Sequence, residues 1–231
     1  MIKAIKKTPE KAIFTSDVEI SLANAIRRSV NEVEVLAIDE VDIYKNDSAL
    51  YDPIIAHRIG LVPLKKGSIT TKKLELKLKV KGGEVLSGEF GKEVAFPETP
   101  IVLLEKDQEL ELVARGRMGC GKEHSKFNPG LLYYRYLPKI EISPEGEKQS
   151  ELAELYPKVF EFVNGKIRVK NSWACDMDEE DVKSFKGISI KSTGELVIFI
   201  ESWGQIDAGE IFTESIKVLK DNLTELSKAL K

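Results

Sequence analysis

The spacing of apolar positions changes along the chain, and each change predicts a different element. Leu22, Ile26, Val30 and Val33 recur at helical spacing, which predicts one amphipathic helix over about Ile20 to Val33, with Ser16 or Asp17 as its cap. Short strands precede it, Ile2 to Ile5 and Ala12 to Thr15, around a turn at Thr8-Pro9. A strand follows over Val35 to Tyr44, with Val41 and Ile43 on one face and Asp42 and Tyr44 on the other. Asp52 as N-cap, Pro53 in the first turn and Gly60 as a left-handed stop bracket a short helix from Pro53 to Ile59, with Pro63 just beyond.

From Leu74 the period falls to two. Leu74, Leu76, Leu78 and Val80 alternate with charged residues, Gly82-Gly83 reads as a turn, and Glu109 to Val113 alternates again. Tyr133 to Ile142 is a strand interrupted by Pro138, which places it at an edge or a bulge. The stretch from about Lys72 to Ile142 is therefore a mostly β block, and Ser143-Pro144-Glu145-Gly146 marks its end. Beyond lie a short helix from Lys148 to Tyr156, a hairpin at Asn164-Gly165 and a polar segment through Asp181. Leu196 to Ile200 is a continuous apolar run, the mark of a strand covered on both faces. At the end of the chain Phe212, Ile216, Leu219, Leu223, Leu226 and Leu230 step by four, three, four, three and four, a seam on one face of a helix, with Ile211 and Val218 widening it. Burying six such side chains contributes on the order of 10 kcal/mol before ordering costs. Periodicity alone leaves open whether they cover the chain's own sheet or a partner helix.

Composition narrows the function classes. Of 231 residues, 32% are charged, yet 35 Lys and Arg against 38 Asp and Glu leave a net charge of −3, which excludes a polybasic protein held to nucleic acid by counterion release. Two cysteines, Cys120 and Cys175, exclude a disulfide framework and fit a reducing compartment. No apolar run approaches a membrane span, and the first residues lack a signal-peptide core, so a cytoplasmic, non-membrane protein is expected.

Candidate chemistry is thin. His57 and His124 belong to no nucleophile signature. Cys120 and His124 have a spacing two metal ligands can use, but a structural zinc takes four, and no second pair follows. Asp176, Asp178, Glu179, Glu180 and Asp181 look like a magnesium cluster on paper, although carboxylates opposing a helix dipole explain them better. Gly116, Gly119 and Gly121 match neither a dinucleotide nor a phosphate-loop fingerprint. The adjacent Arg27 and Arg28 point about 100° apart on a helix and do not readily share one partner.

These motifs assemble in order into one resemblance. Ser21-Leu22-Ala23-Asn24-Ala25-Ile26-Arg27-Arg28 followed by Ala37-Ile38-Asp39 resembles the first helix and strand of the α-like subunits of RNA polymerase. Asn46 to Leu50, then Ala56-His57-Arg58-Ile59-Gly60-Leu61-Val62-Pro63-Leu64, resemble that family's next block. Gly116 to Phe127 resembles its G-x-G-x-x-H-x-K-(W/F) loop, and the helix after Gly204 its ending. Within the family the chain is similar to the archaeal D branch.

The resemblance implies an α+β fold. A dimerization domain of antiparallel sheet and two long helices is built from residues 1–45 and 188–231, a mostly β domain is inserted at 46–142, and a small α+β insertion spans 143–187. It implies a non-catalytic assembly subunit that pairs with a smaller subunit L and forms a platform for subunits N and P and the second-largest subunit, with no sequence-specific nucleic-acid contact of its own. The implied heterodimer interface is Leu22, Ile26, Val30, Phe212, Ile216, Leu219, Leu223, Leu226 and Leu230. The implied large-subunit contacts are Arg27, Arg28, His57 and Arg58. Some archaeal members hold an iron–sulfur cluster in the small insertion, which needs about four thiolates. Here that stretch has only Cys175, so neither cluster nor zinc is expected, and Leu152, Leu155, Phe160, Phe162 and Ile167 are expected to hold it by packing. Two rivals remain: a homodimeric α-like scaffold, and a stand-alone metal-dependent hydrolase using Asp176, Asp178 and His124.

Overall fold

The computed structural model describes residues 2–66, 74–177 and 179–230. The expected start of the β block at Lys72 and the candidate ligand Asp178 lie outside them. The strands are β1 (Lys3–Lys7), β2 (Lys11–Ser16), β3 (Val35–Asn46), β4 (Leu74–Leu86), β5 (Pro100–Gly119), β6 (Gly130–Ile142), β7 (Phe160–Val163), β8 (Lys166–Val169) and β9 (Ile188–Ser202). The helices are α1 (Ile20–Ser29), α2 (Asp52–Gly60), α3 (Glu151–Leu155), α4 (Glu179–Lys183) and α5 (Ala208–Ala229). The fold is α+β, with antiparallel pairing of β3 and β4 on β5 and of β7 on β8. No helix among the described residues is long and apolar enough to cross a membrane.

Four strands form one sheet in the order β1-β2-β9-β6. The apolar run Leu196 to Ile200 lies in β9, flanked by a strand on each side, and is buried throughout. The Pro138 strand is β6, at the edge of that sheet, where a missing N–H disrupts no second ladder.

The chain divides into two compact units. One, comprising residues 6–12, 20–133 and 199–231, contains a three-stranded sheet with β5 between β3 and β4. Leu110, Leu112 and Ala114 of β5 pair across to Val80, Leu78 and Leu76 of β4, and Leu112 and Ala114 also pair with Ile43 and Val41 of β3. That apolar face takes Ile55 and Ile59 of α2 into one core with Leu36, Ile38, Val85 and Leu104. The alternate residues carry ion pairs, among them Arg115 with Asp42 at 2.7 Å and Lys79 with Glu111 at 2.7 Å.

The other unit comprises residues 1–5, 13–19 and 134–198. Its core is Leu152, Val159, Phe160, Ile167, Cys175, Met177 and Ile188. The hairpin β7–β8 turns at Asn164 (φ 54°) and Gly165 (φ 77°), the left-handed pair that the Asn-Gly dipeptide predicts. Of the residues expected to hold this insertion, Leu152, Phe160 and Ile167 are buried, whereas Leu155 and Phe162 face solvent. α3 is a single short turn that buries Leu152 alone, and in β7 burial is confined to Phe160, although Phe162 shares its face, because the core cluster ends at that residue.

Other local expectations are corrected by the structure. The first helix ends at Ser29 and tightens into a 3-10 turn over Val30–Glu32, and the Ser29 hydroxyl donates back to the Ala25 carbonyl at 3.0 Å. Ser16 and Asp17 lie too far upstream to cap it; the Ser16 hydroxyl instead accepts from the Val18 amide. Asp52 is the first residue of α2 rather than its cap, and its carboxylate accepts from Asn46 Nδ2 at 2.7 Å. Gly60 stays in the helix, and the stop at Leu61 is right-handed. Gly82-Gly83 is no turn. Their positive φ values (63° and 88°) let β4 bulge past an excursion of β5, so that Lys81 pairs with Glu109 but Gly83 with Leu104.

Candidate subunit interface

α5 begins where Gly204, at φ 95°, turns the chain against Phe96, so closely that an added Cβ would lie 2.8 Å from its ring. The Asp207 carbonyl accepts from the amides of Glu210 and Ile211, and Lys66 holds Glu210 at 2.8 Å. The helix then carries two apolar stripes, about 100° apart because one is displaced from the other by one residue. Ala208, Ile211 and Ser215 are fully buried, and Val218 and Asn222 continue that stripe along the chain's own side. The neighbouring stripe is the seam. Phe212 and Leu219 are half-buried, Ile216 is 39% exposed, and Leu223, Leu226 and Leu230 are 57%, 55% and 79% exposed. Ile211 and Val218 therefore belong to the inner stripe rather than widening the outer one. Ile216, Leu219 and Leu223 line a shallow groove of about 510 Å³ along the outer one.

α1 packs against α5 and divides the remaining interface candidates. Leu22 is 47% exposed, whereas Ile26 and Val30 are 7% and 3% exposed. Those two are spent inside this chain, with Ala23 and Val33, and only Leu22 of the three presents surface outward. Periodicity could not separate them, because a helix between a core and a partner carries one continuous apolar face.

Arg27 and Arg28 are both exposed. Arg27 is tied to Asn24 Oδ1 by Nε at 3.1 Å and Nη2 at 2.8 Å, while Arg28 makes no hydrogen bond or ion pair among the described residues. On α2, His57 and Arg58 are exposed, and Arg58 also donates to the Ile101 carbonyl at 2.6 Å. Ile54 and Leu61, one heptad apart, are exposed beside them, as is Tyr51. The i, i+4, i+7 spacing of Ile54, Arg58 and Leu61 was the available signal for this face.

The Gly116–Phe127 loop is built around a buried ring. An added Cβ on Gly119 would lie 2.9 Å from three atoms of Phe127, so glycine there is a packing requirement. Arg117 and Lys126 sit over that ring at 4.6 and 5.1 Å, and Asp39 bridges both cations at 2.7 and 2.6 Å. Lys126, chiefly, and Arg117 hold the Asp39 carboxyl below its ordinary range. Glu123 completes the network through Arg117 at 2.8 Å. His124 Nδ1 accepts from the Lys126 amide and so caps the following 3-10 turn. Glu32, unmarked in the sequence, links this loop to α5: it takes Lys122 at 2.7 Å and Asn222 at 2.8 Å, and both hold its carboxyl low.

Among the described residues no three His, Cys, Asp or Glu side chains come together as a metal site. Cys175 lies in an apolar core where burial pushes its thiol up, so as a single, inward-facing thiol it does not fit a cluster needing about four thiolates.

Residues 12–223 match the RNA polymerase Rpb3/Rpb11 dimerisation domain. The chain is 34% identical to the DNA-directed RNA polymerase subunit Rpo3 of Thermococcus kodakarensis, over 94% of this chain and 92% of that one. It is 37% identical to Rpo3 of Pyrococcus horikoshii over 68% and 67% of the two chains, and 30% identical to that of Archaeoglobus fulgidus over 91% and 89%. Such a subunit is non-catalytic and forms a dimerisation domain with an L-type partner. A dimerisation-domain match over residues 12–223, with identities of 30% or more over most of both chains, places the chain in the Rpo3 family of archaeal DNA-directed RNA polymerase subunits.

Proposed function

We propose that this chain is an assembly platform of the polymerase, pairing with subunit L through the outer stripe of α5 and presenting separate surfaces to the large subunits. The observation that carries the reading is the exposure of Leu223, Leu226 and Leu230 beside a stripe that is already buried. Water contact along those leucines is unfavourable, and a helix laid on Phe212, Ile216, Leu219, Leu223, Leu226 and Leu230, with Leu22 at its margin, removes it. Residues 1–45 and 188–231 then act as the dimerization domain, 46–142 as the inserted β domain and 143–187 as a cluster-free insertion.

Arg28, with Arg27, His57 and Arg58, faces the second-largest subunit, and Ile54 and Leu61 add apolar area to the α2 side of that contact. Subunits N and P dock on the assembled pair. The chain works in the cytoplasm, touches no specific nucleic-acid sequence, and serves nucleotidyl transfer by holding other subunits in register. The deciding measurement is the mass in solution of the chain alone and co-expressed with its cognate L subunit. A stable one-to-one complex is expected. A monomer or self-paired dimer that ignores L would overturn the reading. Arg28→Glu is expected to leave the L pair intact while weakening capture of the second-largest subunit; loss of L pairing instead would refute the assignment of that face.

A further inference from the structure

The groove along the outer stripe of α5 is lined by charges of one sign. It is lined by Ile216, Leu219, Leu223, Thr224 and Ser227 together with Lys220 and Lys228, so among the described residues its charged lining is lysine. Neither ammonium has an ion-pair partner among the described residues. Lys228 sits in the last turn, where the helix dipole already favours a cation. Lys220, in mid-helix, has no such role. The carboxylates lie around on the other side: Glu214 reaches Lys66 at 4.0 Å and Lys217 at 3.9 Å, Glu214 and Asp221 line the cleft shared with Glu32, and Glu225 continues that row one turn later.

We infer that the groove selects a partner helix whose apolar stripe is flanked by a carboxylate that meets Lys220, and that this lysine sets the preference for a different chain over a second copy of this one. A second copy offers the same groove residues, among which Lys220, Thr224, Ser227 and Lys228 include no carboxylate. An ion pair at such a rim is partly desolvated once the leucines are covered, which strengthens it relative to an exposed pair, while mismatched charge there repels. The inference rests on the outer stripe being the pairing face, so the experiment separates the two claims.

The full chain is co-expressed with its cognate L subunit as wild type, Leu223→Asp, Lys220→Gln and Lys220→Glu, and each pair's dissociation constant is measured at 0.1 M and 1 M salt, with circular dichroism as the folding control. Leu223→Asp is expected to abolish pairing at both salts. Lys220→Gln is expected to weaken it roughly two- to five-fold at low salt and Lys220→Glu roughly five- to ten-fold, with both losses shrinking at 1 M salt. If Leu223→Asp pairs normally, the pairing face itself is wrong. If it does not pair while both Lys220 variants bind like wild type at low salt, the pairing face stands and the acidic-partner inference falls. Lys220→Glu forming a homodimer while still binding L at full strength would likewise overturn it, because the lysine would then only repel copies.

Discussion

Asn222 Nδ2 of α5 donates to Glu32 Oε2 at 2.8 Å, and this is the last hydrogen bond along the helix to reach another element among the described residues. Beyond it every residue to Leu230 is exposed. The inner stripe of α5 ends at Asn222 while the outer stripe continues for two more turns. The helix is thus a docked base followed by an arm that no other element covers among the described residues.

Asn222→Ala is therefore expected to loosen the arm without unfolding the base. The free chain should exchange amide hydrogens faster after Asn222, at a stability cost of about 0.5–1 kcal/mol, since the lost bond is exposed. Pairing with L should restore protection. Hydrogen-exchange mass spectrometry of the free and paired chain tests this, and equal protection of the arm in mutant and wild type would contradict it.

The two stripes should separate stability from pairing. Leu226→Asp, on the open stripe, is expected to leave the thermal midpoint of the free chain within about 2 °C while eliminating the L complex. Ile211→Ala, one stripe inward and wholly buried, should cost about 2–5 kcal/mol of folding stability. A denaturant titration beside a pull-down distinguishes them. A large loss of stability in Leu226→Asp would mean that the outer stripe is covered by this chain.

Much of this was legible in the sequence because period encodes burial. The edge position of the Pro138 strand, the two-sided burial of Leu196 to Ile200, the Asn164-Gly165 hairpin and the single helix under the Phe212 to Leu230 seam all follow from local chemistry. What failed were features set by distant neighbours. Gly82-Gly83 has turn chemistry, yet it is a bulge because β5 makes an excursion opposite it. Asp52 has cap chemistry, yet Asn46 claims its carboxylate. Ile26 and Leu22 lie on one helical stripe, and only the packing of α1 tells the inner residue from the outer. Glu32 carries no pattern at all; its role exists only once Lys122 and Asn222 are brought to it.

Gly119 gives a sharp packing test. Replacing it with alanine puts a methyl 2.9 Å from the Phe127 ring, which must move although it is fully buried under Arg117 and Lys126. Overpacking of this kind costs about 1–3 kcal/mol, and Phe127→Ala, which empties the site, about 3–5 kcal/mol. Urea unfolding of both variants checks the order. Gly119→Ala as stable as wild type would show that the glycine is not needed for packing.

The Asp39 bridge gives a pH dependence whose sign is determined. Its folded carboxyl is held below the ordinary value by Lys126 and Arg117, so the native state favours the ionised form. The resulting stability is present in full above the unfolded carboxyl pKa of about 3.9 and is lost as pH falls through it toward the lower folded value. Asp39→Asn should cost about 1–2 kcal/mol at pH 7, because Lys126 is largely covered and would keep its charge without a partner, and that deficit should shrink below about pH 4. Glu141 provides the control. Lys191 at 2.8 Å and Lys139 at 3.0 Å hold its carboxyl at about 2, but all three groups lie on the surface, where solvent screens the pairs. Glu141→Gln should therefore move the acid midpoint less than Asp39→Asn, although its carboxyl is held as low as about 2. Acid unfolding curves of the three proteins decide it, and a larger effect at Glu141 would mean that burial of the partner cation is not what gives the Asp39 bridge its weight.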